Sequence, residues 1–249
     1  MQYFGTLETK YEEVFLTSSY LYFNKEDEQI DAKQLKQLIK TNKDKKKNIV
    51  GTIIIYSPLV TPVGYDSNKY LLDQDFDQYD EMVELKCEDY ITLFKHAMGN
   101  QFEGKLVEIV NLFNLMEKNI DASSLLMKFD QDLEIYYSQQ NTEFDRDIMY
   151  LDCKNIIPKG KFVFFAWGEK INPKEFIYIN NYAQTIYRRC KDELSKNVAF
   201  VYKKEKTIEW SEDFIQFAAP SQTSKYKTSI HNAIKKSFES FPPISQPYS

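Results

Sequence analysis

The stretch Ile49-Val50-Gly51-Thr52-Ile53-Ile54-Ile55-Tyr56 limits the possible folds most: it is almost continuously apolar, rich in β-branched residues, and stopped by Ser57-Pro58. A strand with one wet face alternates polar and apolar residues, whereas a run without alternation is a strand buried on both faces, as central parallel strands are. Three further runs share this character: residues 106–110, ending at Asn111; 161–166, ending at Trp167-Gly168; and 197–202. Between them apolar residues recur at helical steps, in the sets Tyr90, Leu93, Phe94, Ala97; Leu125, Phe129, Leu133, Tyr136; and Phe176, Ile179, Tyr182, Ile186, Cys190. A last helical stretch runs from Lys227 to Phe238, before Phe241-Pro242-Pro243. Strand–helix alternation of this kind predicts the α/β class, as a three-layer α/β/α sandwich around a central, mostly parallel four-stranded sheet.

The first 48 residues read differently. Ile30-Asp31-Ala32 leads into Leu35, Leu38 and Ile39 at helical spacing, then into the basic run Lys43-Asp44-Lys45-Lys46-Lys47, a solvated loop or, alternatively, a phosphate contact. Residues 1–48 are therefore expected to form an N-terminal helical extension packed on the core, and residues 49–249 the α/β domain. No repeat or clear linker divides the chain further.

Composition excludes several classes. No apolar run approaches the roughly 20 residues that span a bilayer, and Met1-Gln2-Tyr3-Phe4-Gly5-Thr6 lacks the basic-then-apolar order of a secretory signal. Cys87, Cys153 and Cys190 are too far apart for a disulfide framework or a zinc or iron–sulfur spacing, so reduced thiols in a cytoplasm are expected. His96 and His231 are the only histidines and are read as structural; neither a metal site nor a cofactor is expected. The net charge of −5 conceals an asymmetry, with 16 Lys/Arg against 28 Asp/Glu in residues 1–153 and 16 against 9 in residues 154–249. Such a chain can turn a basic surface towards phosphate, although ordinary charge scatter accounts for the imbalance equally well.

Ligands of parallel sheets bind at the carboxyl ends of the strands. The first of these ends carries Ser57-Pro58-Leu59-Val60-Thr61-Pro62-Val63-Gly64-Tyr65-Asp66, a turn whose prolines preset the backbone for a ligand loop or for a rigid crossover. Asn111 ends the second strand; its amide can read a base edge as donor and acceptor, or cap a turn. Trp167-Gly168 ends the third, where the Trp is a core side chain or a pocket wall. Near the C-terminus Phe217-Ala218-Ala219-Pro220-Ser221-Gln222-Thr223-Ser224 precedes the last helix, which it can cap, or whose N-terminus it can combine with to grip a phosphate.

In order and spacing these four loops resemble the uracil-DNA glycosylase superfamily, over residues 53–66, 107–115, 162–168 and 218–224. The resemblance implies a monofunctional DNA glycosylase that flips a base out of the duplex and hydrolyses its N-glycosidic bond. Extrusion costs a few kcal/mol, offset by stacking and edge hydrogen bonds. On that likeness Ser57 or Asp66 positions the attacking water, and Tyr56, Pro58, Tyr65, Asn111, Phe113 and Trp167 form the base pocket. Pro220, Ser221, Gln222, Ser224, Lys225 and Tyr226 meet the DNA, with Gln222 or Tyr226 as the wedge. Two departures stand out. Ser57 occupies the place where the family has Asp or Asn before its Pro, and Ala219 the place where many members have His. The altered first loop points to a modified base rather than plain uracil, with antiphage defence as the setting, or to a non-catalytic sensor or inhibitor that binds DNA or a nucleotide. The expected partner is single- or double-stranded DNA, with neither a membrane nor an obligatory protein partner.

Overall fold

A computed structural model describes residues 1–10, 13–25, 28–41, 48–55, 61–62, 81–86, 102–116, 122–138, 160, 162–165, 175–193, 198–200, 202–203 and 206–207. The strands are β1 (Gln2–Lys10), β2 (Glu13–Tyr22), β3 (Ile49–Ile55), β4 (Thr61–Pro62), β5 (Glu81–Lys86), β6 (Leu106–Asn111), β7 (Phe162–Phe165), β8 (Val198–Phe200), β9 (Tyr202–Lys203) and β10 (Lys206–Thr207). The helices are α1 (Ala32–Thr41), α2 (Ala122–Ser138) and α3 (Ile177–Glu193).

Among the described residues, eight strands form one mixed sheet in the order β4-β5-β1-β2-β6-β3-β7-β8, and β9 pairs with β10 separately. The pairs β6·β3, β3·β7 and β7·β8 are parallel, and β4·β5, β5·β1, β1·β2 and β2·β6 are antiparallel. The expected mostly parallel four-stranded sheet is thus corrected. An antiparallel half, built largely from the first 22 residues, is fused to the parallel half along β2·β6. Residues 2–22 were expected to be part of a helical extension but form two strands. Their Tyr, Phe, Thr and Val residues favour strands, while interleaved Thr6, Glu8, Thr17, Ser18 and Ser19 keep them from reading as buried runs.

A bulge between Thr6 and Leu7 shifts the β1·β2 register. Leu16 pairs with Leu7, whereas Ser18 pairs with Thr6, so Thr17 is the extra residue and the alternation of β2 flips there. Phe15 consequently shares a face with Tyr20 and Tyr22. On that face α1 seals one end: Leu35 and Ile30 pack with Phe4, Tyr20, Tyr22, Met82 and Leu106. The helix starts at a capping box in which the Gln34 N–H donates to Asp31 Oδ1 and the Asp31 N–H to Gln34 Oε1, each at 2.7 Å.

Over the parallel half α2 and α3 bury Phe129, Leu133, Ile179, Tyr182 and Ile186 against Phe15, Ile54 and Val163. All three described helices therefore pack on one face, where a helix layer on each side was expected. For α2 and α3 this follows from topology: β6→β7 and β7→β8 advance in the same direction across the sheet, and right-handed crossovers in one direction keep their helices on one side. The opposite face is also buried, at Tyr3, Leu21, Ile53, Ile55, Val107 and Ile109. On this face the Tyr3 hydroxyl donates to Ser19 Oγ at 3.1 Å and Ser19 donates to the Ile109 carbonyl at 3.2 Å.

Candidate functional site

In chain order the parallel strands are β3, β6, β7 and β8, but in space β3 lies between β6 and β7. The chain leaves β3 towards β6 on one side and leaves β7 towards β8 on the other. Where successive connections diverge in this way, a crevice opens at the carboxyl ends of the strands. By that rule a ligand is expected at the ends of β3 and β7, after Ile55 and Phe165. Asn111 pairs with Ile55 and so sits on the same edge, one strand away.

The geometry around Asn111 comes from an irregularity in the β2·β6 pairing. The ladder is regular from Tyr22↔Leu106 to Ser19↔Ile109, then resumes at the isolated bridge Phe15↔Leu115 with two extra residues on the later segment. The Leu112 N–H turns to the Ile55 carbonyl at 2.8 Å, continuing the β3 ladder. The Leu16 N–H donates to the Asn114 carbonyl and the Met116 N–H to the Val14 carbonyl, both at 2.8 Å. The Leu16 carbonyl is taken by a side chain: Asn111 Nδ2 donates to it at 3.2 Å. One amide thus bridges the gap left by the two inserted residues.

The two inserted residues break the alternation along Asn111-Leu112-Phe113-Asn114-Leu115. Leu112, Phe113 and Leu115 enter the core beneath α2 and α3. Asn114 lies opposite Leu16, and Asn111 follows Ile109 in phase, so both asparagines belong to the other face. They are 2% and 1% exposed. Asn111 Oδ1 and both amide atoms of Asn114 have no hydrogen-bond partner among the described residues. A buried polar atom without a partner costs about 1–3 kcal/mol; three fall within these four residues, while Asn24, Asn180 and Arg189 carry one each elsewhere among the described residues.

Of the residues singled out from sequence, Asn111 and Phe113 lie in described segments. Phe113 is fully buried, stacked on Phe129 with ring centroids 4.6 Å apart at 30°, and Phe129 is in turn edge-on to Tyr182 at 6.0 Å. Its ring is committed to the core and offers no free face for a base. Tyr56, Ser57, Pro58, Tyr65, Asp66 and Trp167 lie outside the described residues, as do Pro220, Ser221, Gln222, Ser224, Lys225 and Tyr226. Asn114 was not singled out. Its signal was the pattern Asn-Leu-Phe-Asn after a buried strand, in which two apolar residues go to one face and two amides to the other.

Among the described residues no three His, Cys, Asp or Glu side chains gather as a metal-binding group. No described helix is long and apolar enough to cross a membrane. No protein-family model, curated protein or solved structure matches the chain.

Proposed function

We propose that this chain binds a nucleobase at the carboxyl edge of its parallel strands and hydrolyses the N-glycosidic bond of a flipped, modified base in DNA. The Asn111 carboxamide carries the proposal: it is buried, held in one orientation by its bond to the Leu16 carbonyl, and left with an acceptor unpartnered among the described residues. A fixed acceptor at the edge of a crevice reads a donor on a base. The position beside the switch point supports ligand binding by the general rule for such sheets. The hydrolytic step rests on the likeness of the four loops to the glycosylase superfamily, with Ser57 or Asp66 positioning water, and the base is a modified one because the first loop departs from the uracil pattern.

Ser57 in place of an acid favours a second reading, a non-catalytic DNA- or nucleotide-binding sensor, because a hydroxyl without a partner is a weak general base. Both readings are tested by incubating the protein with duplexes carrying uracil, mismatched bases or bulky modified bases, then cleaving abasic sites with alkali. Strand breaks that Asn111→Ala abolishes support the glycosylase. Binding without abasic sites on every substrate selects the sensor, and no binding at all overturns both.

A further inference from the structure

We infer that Asn114 is a second reading residue of this site and, with Asn111, selects a neutral heterocycle edge carrying a hydrogen-bond donor next to an acceptor. This rests on the proposal that the carboxyl edge takes a base. The inventory of unpartnered atoms defines the ligand chemistry. Asn111 has one Nδ2 hydrogen committed to Leu16, keeps the second, and presents Oδ1, an acceptor, while Asn114 presents an acceptor and an NH2 donor. A phosphate or carboxylate would set its oxygens against two amide carbonyls. A metal cation would meet the Asn114 NH2, which cannot ligate it, and among the described residues no carboxylate cluster accompanies the amides. An apolar ligand would leave all three atoms unsatisfied. A base edge supplies a donor for Asn111 Oδ1 and an acceptor for Asn114 Nδ2 side by side, either as ring N–H beside carbonyl (the lactam edge of uridine or guanosine) or as amine beside ring nitrogen (the amidine edge of cytidine or adenosine).

The same unpartnered atoms are a liability for stability without ligand. Asn114 contributes two buried, unpartnered atoms at 1% exposure. Replacing it with Leu, which keeps the branching of Asn with methyl groups in place of the two amide atoms, removes both without breaking a side-chain hydrogen bond. A residue kept only for the fold would behave in the opposite way. The experiment measures thermal unfolding of wild type, Asn114→Leu and Asn111→Ala, alone and with millimolar uridine, guanosine, cytidine, adenosine or 3-methyluridine. Asn114→Leu is expected to raise Tm without ligand and to weaken nucleoside binding about tenfold or more, the worth of one hydrogen bond to a buried group. Uridine binding lost on 3-methylation identifies the lactam edge, and binding confined to cytidine or adenosine the amidine edge; each agrees with the inference. Equal nucleoside affinity in wild type and Asn114→Leu, with loss only in Asn111→Ala, overturns the role of Asn114 while leaving base binding intact. If wild type binds none of the five nucleosides, the base site falls and the role of Asn114 with it.

Discussion

At the end of β6 the Asn111 amide supplies the donor that the interrupted ladder withholds from Leu16. Asn111→Ala should therefore lower stability by about 1–3 kcal/mol, because the Leu16 carbonyl stays buried without a donor; urea unfolding measures it. This is opposite in sign to Asn114→Leu, although the two residues are three apart and both buried. Gly160 carries a different constraint. It adopts φ +87°, and a Cβ there would overlap the backbone of Val50 and Gly51 in β3. Gly160→Ala is expected to destabilise by about 1–3 kcal/mol from backbone conformation alone, with the overlap adding to it, read as a fall in the urea midpoint at unchanged m-value.

At the scale of elements, α3 depends on α2 for its start. Asp130, in α2, accepts the Ile179 N–H through Oδ1 at 2.8 Å and so caps the first turn of α3 from a neighbouring helix. Asp130→Ala should cost about 1 kcal/mol, as loss of an N-cap does, while Asp130→Asn keeps an acceptor. Burial raises the Asp130 carboxyl above its ordinary pKa, against the lowering effect of the Ile179 and Tyr178 N–H groups. The folded protein therefore holds this proton more tightly than the unfolded chain. The stability gained is fully present below the unfolded pKa, near 4, and is lost as pH rises through the folded value. Asp130→Asn should flatten that part of the stability–pH profile, measured by denaturant unfolding across the acid range. Sequence reading reached the elements unevenly, for physical reasons. The apolar runs that became β3, β6, β7 and β8 were visible because they do not alternate, as β3 and β6, buried on both faces, have no need to. β1 and β2 were not, since their polar residues include satisfied interior ones such as Ser19 and the Thr17 bulge breaks their period of two. At the end of β6, the strand end and Asn111 were legible. Which of the next three residues shares the face of Asn111 was not, because that depends on two residues inserted opposite β2, a long-range event.

For the whole molecule, the first 22 residues are interior to the sheet rather than appended to it. β2 lies between β1 and β6, and Phe15, Leu16, Tyr20 and Leu21 are buried in the shared core. Removing residues 1–23 would expose one edge of β6 and the Leu16-facing side of the Asn111 amide. The truncated chain should lose cooperative thermal unfolding by circular dichroism, whereas a removable extension would leave the transition intact. β1 and β2, whose Leu16 carbonyl holds the Asn111 amide, precede all four of the loops singled out from sequence. The most direct measurement is therefore the side-chain NH2 resonances of Asn111 and Asn114 in 15N-asparagine-labelled protein, assigned through Asn111→Ala and Asn114→Leu and titrated with nucleosides. Base binding at the carboxyl edge predicts that these two amides shift together and saturably. Unmoved resonances at millimolar nucleoside, for every base tried, would contradict it.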